Sequence, residues 1–128
     1  MQTKDPRPYP QRKWQFDYHR LDVWWVAFEA FIRGNAIADA LPSGNAKLKD
    51  HLKRALASAF TQTSEVAPRK GADRAQRVRV ARSEASEAAA ALEAVGGLGL
   101  GEPREIDAVL ELLWRQSAML YRLANPRR

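Results

Sequence analysis

Apolar side chains recur every three or four residues along most of this chain, and the gaps between the runs are rich in proline and glycine. The first run carries Leu21, Trp24, Trp25, Phe28, Phe31, Ile32, Ala38 and Leu41. That spacing lays one apolar stripe along a helix and predicts helix over 20–41. Pro42, Ser43, Gly44 and Asn45 form a turn cluster that stops it. Leu48, Leu52, Ala55, Ala59 and Thr63 predict a second helix over 46–66, whose β-branched and polar end weakens its last turn. Proline disfavours α geometry in the residue before it and glycine is flexible, so Ala67-Pro68-Arg69-Lys70-Gly71 marks a connection. A third helix follows over 72–95, with Ala75, Val78, Ala81, Ala85, Ala88, Leu92 and Val95 in register. Alanine dominates that stripe, which lets a neighbouring helix approach closely. Gly96, Gly97, Gly99 and Gly101 predict its stop, with Leu98 and Leu100 able to cap the core. Pro103, tolerated at a first helical position, opens a fourth helix over 103–125 that runs through Ile106, Val109, Leu110, Leu113, Leu120, Tyr121 and Ala124, and Pro126 closes it.

Four helices of roughly twenty residues joined by short turns point to an all-α, antiparallel up-down-up-down four-helix bundle over 18–126. Residues 1–17 read as a flexible, proline-rich basic arm, because Pro6, Pro8 and Pro10 among charges neither continue a helix nor bury apolar area. At 128 residues and 45% hydrophobic content the chain is one domain's worth of material, large enough to bury a core without a metal or a crosslink. Cysteine is absent, which excludes disulfides and thiolate metal sites. No run reaches the roughly 18 uninterrupted apolar residues of a membrane span, and 1–13 is polar rather than a signal peptide. The expectation is a soluble cytoplasmic protein with no membrane association.

Charge changes the picture more than composition does. The formal net charge of +6 favours acidic partners only in a general way, but its distribution is lopsided. Over 47–82 ten basic residues face three acidic ones, giving +7, whereas over 83–111 seven acids face Arg104 alone, giving −6. In an antiparallel hairpin the end of the second helix and the start of the third share one pole, which gathers Arg69, Lys70, Arg74 and Arg77. Lys70, Arg74 and Arg77 stand at steps of four and three, hence on one face. With Lys53 and Arg79 they form a candidate nucleic-acid-binding set that would neutralise phosphates, weaken steeply with salt and read little sequence. Two plainer readings stand beside it: a solvated face that only confers solubility, and acidic and basic poles that pair between identical subunits.

Trp24 and Trp25 are adjacent, so they point about 100° apart and cannot both face one core. They are the candidate oligomer interface, since aromatic residues are enriched at subunit contacts. The alternatives are cover from Trp14, Phe16 and Tyr18, or stacking of a base. Nothing suggests an enzyme or a bound cofactor. His19 and His51 are isolated, Ser83 and Ser86 have no nearby histidine to activate them, and the glycines at 96–101 do not follow a strand as a dinucleotide loop does. Glu65 and Glu87 are expected to hold helix ends or to pair with Arg54 and Arg82 inside the bundle.

Several short segments, in order, resemble the ribosomal RNA intervening-sequence protein family. Leu21-Asp22-Val23-Trp24 after Tyr18 resembles its Leu-x-Val-Trp start, and His51-Leu52-Lys53-Arg54-Ala55 through Ser58 is similar to its Gln-Leu-Arg-Arg-Ala-Ala-Val-Ser. Gln62-Thr63-Ser64-Glu65 stands where the family has Asn-Ile-Ala-Glu. Ala81-Arg82 followed by Ser86-Glu87 resembles its Ala-Arg-Gly-Ser-x-x-Glu, and Val95 to Gly99 resembles the turn that comes next. The likeness departs at Ala59-Phe60, where the family has Ile-Pro, and at Val66, where it has glycine. The resemblance implies a cytoplasmic bundle without enzymatic activity, assembled as a ring-shaped homopentamer. It also implies kinship of fold with accessory proteins of diversity-generating retroelements, which bind a reverse transcriptase and nucleic acid. The leading expectation is therefore a non-enzymatic oligomer that binds RNA or DNA. The alternative is a protein adaptor or scaffold serving a polymerase-like or ribonucleoprotein partner.

Overall fold

The computed structural model describes residues 14–126, and most of the expected arm, 1–13, lies outside the described residues. A short 3-10 turn, Asp17–Arg20, leads into four helices: α1 (Asp22–Asp39), α2 (Ala46–Ser64), α3 (Gly71–Gly97) and α4 (Pro103–Ala124). Among the described residues there is no strand. Each helix packs against its neighbours in sequence, and α1 also packs against α4, so the four enclose one interior. The chain is an all-helical four-helix bundle. Among the described residues no helix is long and apolar enough to cross a membrane.

The helix ends follow from local chemistry. α2 closes at Ser64, two residues short of the expected 66, as its last turn tightens: the Glu65 N–H is shared between the Thr61 and Gln62 carbonyls, and Val66 donates to Thr63. Val66 then turns inward and is fully buried. α3 runs two residues past the expected 95, because Gly96 and Gly97 accept helical geometry and the left-handed position that ends the helix falls on Gly99, at φ 75. There Gly99 donates to the Gly96 carbonyl and Leu100 to that of Val95, a Schellman closure, with Leu100 packed on the core. At the start of α4 the Glu102 carboxylate accepts from the N–H groups of Arg104 and Glu105 at 3.2 and 3.0 Å, and Pro103 occupies the first turn.

The larger core cluster joins Leu52, Leu56 and Ala59 of α2 to Leu92 and Val95 of α3 and to Val109 and Leu113 of α4. α3 contributes mainly alanines, Ala81, Ala85, Ala88 and Ala91, all buried. α1 approaches α2 closely at Gly34, where a Cβ would lie 2.6 Å from a Leu56 methyl. A second cluster, Val23, Val66, Val78, Ala81 and Leu120, fills the interior beneath the α2–α3 connection. Between the two runs a buried polar link: Gln116 of α4 donates to Thr63 Oγ1 at 2.9 Å and to the Ala59 carbonyl at 3.3 Å, and Thr63 donates to that same carbonyl. Gln116 and Thr63 are the buried polar residues of this interior; both donate hydrogen bonds, and Gln116 Oε1 has no donor among the described residues.

Candidate nucleic-acid interface

The α2–α3 connection and the first half of α3 carry most of the predicted cations. Arg69 lies in the connection, where one arm of its guanidinium meets Glu65 at 3.0 Å and the other meets Asp73 at 3.2 Å. Those two carboxylates, Glu65 first, raise its affinity for its proton and neutralise its charge locally. Arg74 turns back on the chain: its Nε donates to the Arg69 carbonyl at 2.7 Å and an Nη to that of Ala67 at 3.2 Å. Arg77 reaches across to α2 and donates to Gln62 Oε1 at 2.9 Å. Arg79 is exposed and bonds Gln76 of its own helix. Lys70, also exposed, precedes the first turn of α3.

Lys53 is not part of this group. Its ammonium lies 2.6 Å from Asp39 at the end of α1, with Lys49 3.8 Å from the same carboxylate. Eleven residues of helix separate it from Ser64, roughly 16 Å along α2. Lys53 is thus the main reason that the Asp39 carboxyl is held below its ordinary range.

The pairing pattern sorts the cations. Ion pairs engage Arg20, Arg33, Lys49, Lys53, Arg54 and Arg69. Lys70, Arg74, Arg77, Arg79 and Arg82 have no carboxylate partner among the described residues. All five lie at the N-cap or in the first half of α3, so their charge stays available to an anion from outside.

Arg82 departs from its expected pairing inside the bundle. Its Nε donates to Ser117 Oγ of α4 at 3.1 Å, and its guanidinium carbon stands 5.1 Å from the centre of the Tyr121 ring. Glu65 likewise pairs with Arg69 rather than Arg54, and Arg54 takes Asp50, one turn away. Arg82, Ala118, Tyr121, Arg122 and Asn125 line a surface cleft between α3 and α4. The members from α4 and its C-cap that sequence reasoning passed over carry a legible signal: Ala118, Arg122 and Asn125 fall at steps of four and three, hence on one face.

The tryptophan pair is used within the chain. Trp24 is 4% exposed, donates its indole N–H to Ser64 Oγ at 2.8 Å, and lies between Tyr18 and Phe28 with ring centres 4.9 and 5.3 Å away. Trp24 is thus packed almost wholly within its own chain. Trp25 is half-buried, donates to the His19 carbonyl at 3.0 Å and stacks on the His19 ring. The 3-10 turn covers both indoles, because its aromatic residues fold back over the start of α1.

The outward aromatic that the periodicity did not single out is Trp114, 72% exposed. It borders a groove of about 560 Å³ between α3 and α4, floored by Ala85 and Ala89 and rimmed by Glu93, Asp107 and Glu111. On the α2–α3 face His51, Ser58, Glu84 and Glu87 share a shallower cleft. No hydrogen bond links them, so no nucleophile and base are paired there. Among the described residues no three metal-ligating side chains converge. No family model matches the chain, and no curated protein is significantly similar to it.

Proposed function

We propose that this chain is a non-enzymatic, cytoplasmic bundle that binds RNA or DNA through backbone phosphates and assembles with copies of itself. In this reading its helices run antiparallel in up-down-up-down order. The cross-helix contacts support that order: Trp24 early in α1 meets Ser64 at the end of α2, Asp39 at the end of α1 meets Lys53, Gln62 late in α2 meets Arg77 early in α3, and Arg82 meets Ser117 late in α4. The resemblance to the intervening-sequence proteins brings with it a homopentameric ring and a reverse-transcriptase-like or ribonucleoprotein partner.

One observation carries the nucleic-acid reading: five cations of α3 and its cap lack a carboxylate and follow one another along one helix, whereas six of the other ten described cations are held in ion pairs and Lys47, Arg104, Arg115 and Arg122 are not. A polyanion replaces the missing counter-charges and releases its own counterions, which is the main source of non-specific affinity. The test is fluorescence anisotropy of labelled, unstructured RNA and the matching DNA over a salt series. If each of the five cations neutralises one phosphate, log affinity should fall with log salt at a slope of roughly three to four. Lys70→Glu with Arg79→Glu should weaken binding and reduce that slope by more than one. No binding at low ionic strength, or a response indifferent to salt, overturns the reading.

The groove beside Trp114 favours a second reading, a docking surface for a protein. An exposed indole over an alanine floor within an acidic rim suits a basic polypeptide. The charge reversals at Lys70 and Arg79 would leave such capture intact, whereas Trp114→Ser would remove it.

A further inference from the structure

The cleft formed by Arg82, Tyr121, Arg122 and Asn125 differs in kind from the rest of the basic surface. We propose that it seats one nucleotide of a single strand, with the phosphate on Arg82 and Arg122 and the base against Tyr121. This inference rests on the nucleic-acid reading and sharpens it from any polyanion to single-stranded RNA or DNA.

Arg82 is held in place before any ligand arrives. The bond from its Nε to Ser117 Oγ and its position over the Tyr121 ring fix the guanidinium plane. Both terminal amino groups are left without an acceptor among the described residues. Arg33 shows the opposite arrangement: Nε and both Nη groups each donate to Glu105 or Glu29, so its charge is already matched by carboxylates within the chain. A guanidinium that is immobilised but lacks a carboxylate has already lost rotamer freedom and presents a fork suited to phosphate.

The neighbours complete the site. Arg122 is exposed and enters no ion pair among the described residues, which gives the cleft a second positive charge. Ala118 keeps the floor low, one turn before Arg122. Asn125 spends its amide N–H on the Tyr121 carbonyl at 3.1 Å, which leaves its side-chain oxygen to accept from a base. Tyr121 is 52% exposed although its ring is already engaged by Arg82. A base in a duplex is stacked and paired and cannot reach that ring. A base in a single strand can, and stacking on an aromatic is indifferent to sequence.

The experiment compares a labelled oligouridylate and a blunt mixed-sequence duplex of equal length, bound to the full chain at one low salt concentration. The single strand should bind more tightly, despite the higher charge density of the duplex. Tyr121→Leu should lose about tenfold in single-strand affinity with duplex affinity unchanged, and Tyr121→Phe should retain it. Arg122→Gln should weaken the single strand and lower its salt slope by about 0.7. Arg79→Gln, outside the cleft, should weaken both ligands alike. Should Tyr121→Leu lose helicity by circular dichroism, Arg82→Gln and Arg122→Gln decide the matter by the same comparison. Equal binding of strand and duplex, or parallel losses for both, overturns the cleft and leaves the phosphate reading intact. Binding of neither overturns both.

Discussion

Arginine does several jobs in this molecule, and which job a given arginine has depends on what lies within reach of its fork. Arg33 meets Glu105 through two nitrogens at 2.8 and 2.7 Å and Glu29 through a third at 2.8 Å, tying α1 to α4. Those hydrogen bonds hold the Glu105 carboxyl below its ordinary value of 4.5. A carboxyl depressed in the folded state adds stability that is complete above the unfolded value and is lost as pH falls through the folded one. The thermal midpoint should therefore drop as pH is lowered from about 5 toward 3. Glu105→Gln should start from a lower midpoint at neutral pH and fall less steeply, as circular dichroism melts would record. More than a third of each partner's side chain is exposed, so the effect is modest and shrinks in high salt. Superimposable pH profiles for the two proteins would mean that the pair contributes nothing. Spacing in the sequence gathers Lys70, Arg74 and Arg77 on one face, yet spacing is blind to what a loop carbonyl or an amide will bind. Arg74 and Arg77 turn out to fasten the α2–α3 connection, so reversing their charge would test the fold as much as the ligand. Lys70 and Arg79 are the cleaner probes.

Elements were more legible than residues, because helical periodicity is repeated many times and a single misplaced side chain cannot hide it. The four helices and their connections follow from the apolar stripe and the proline and glycine breaks. The misjudged ends are instructive. Four nearby glycines suggest an early stop for α3, but Gly96 and Gly97 stay helical and the left-handed position that closes this helix falls on Gly99. Gly34 carried no signal in the pattern, since a glycine inside a helix reads only as a local weakness. Its reason is packing: the Leu56 methyls lie 2.6 and 2.8 Å from where a Cβ would be. Alanine would gain up to about 1 kcal/mol of helix propensity, against about 1–3 kcal/mol for overpacking a buried leucine. Gly34→Ala should thus destabilise by about 1 kcal/mol in urea unfolding. Combined with Leu56→Val, which makes room, the loss should be smaller than the sum of the two single changes. Strict additivity would show that α1 and α2 do not press on each other at this point.

At the scale of the whole molecule, the positive charge of 47–82 is shared by α2, the α2–α3 connection and the first half of α3, and the negative charge of 83–111 by the second half of α3 and the start of α4. The groove beside Trp114 lies on the acidic part, bounded by Glu93, Asp107 and Glu111. An indole 72% exposed costs solubility unless something covers it. Among the described residues, the unpaired cations of α3 complement that rim in charge, so one copy's basic stretch is suited to the next copy's groove. Such a contact joins two different patches, and it closes into a ring only if the rotation between copies allows. In the proposed function it would compete with nucleic acid for the same cations. Sedimentation velocity should show an assembly that loosens as salt is raised, and Trp114→Ser with Glu111→Lys should leave a folded monomer. If this interface is correct, that monomer should bind RNA at least as well per chain at low salt, because the cations of α3 are no longer occupied by a neighbour. An assembly unchanged by the double substitution would place the subunit contact elsewhere and leave Trp114 to a different partner.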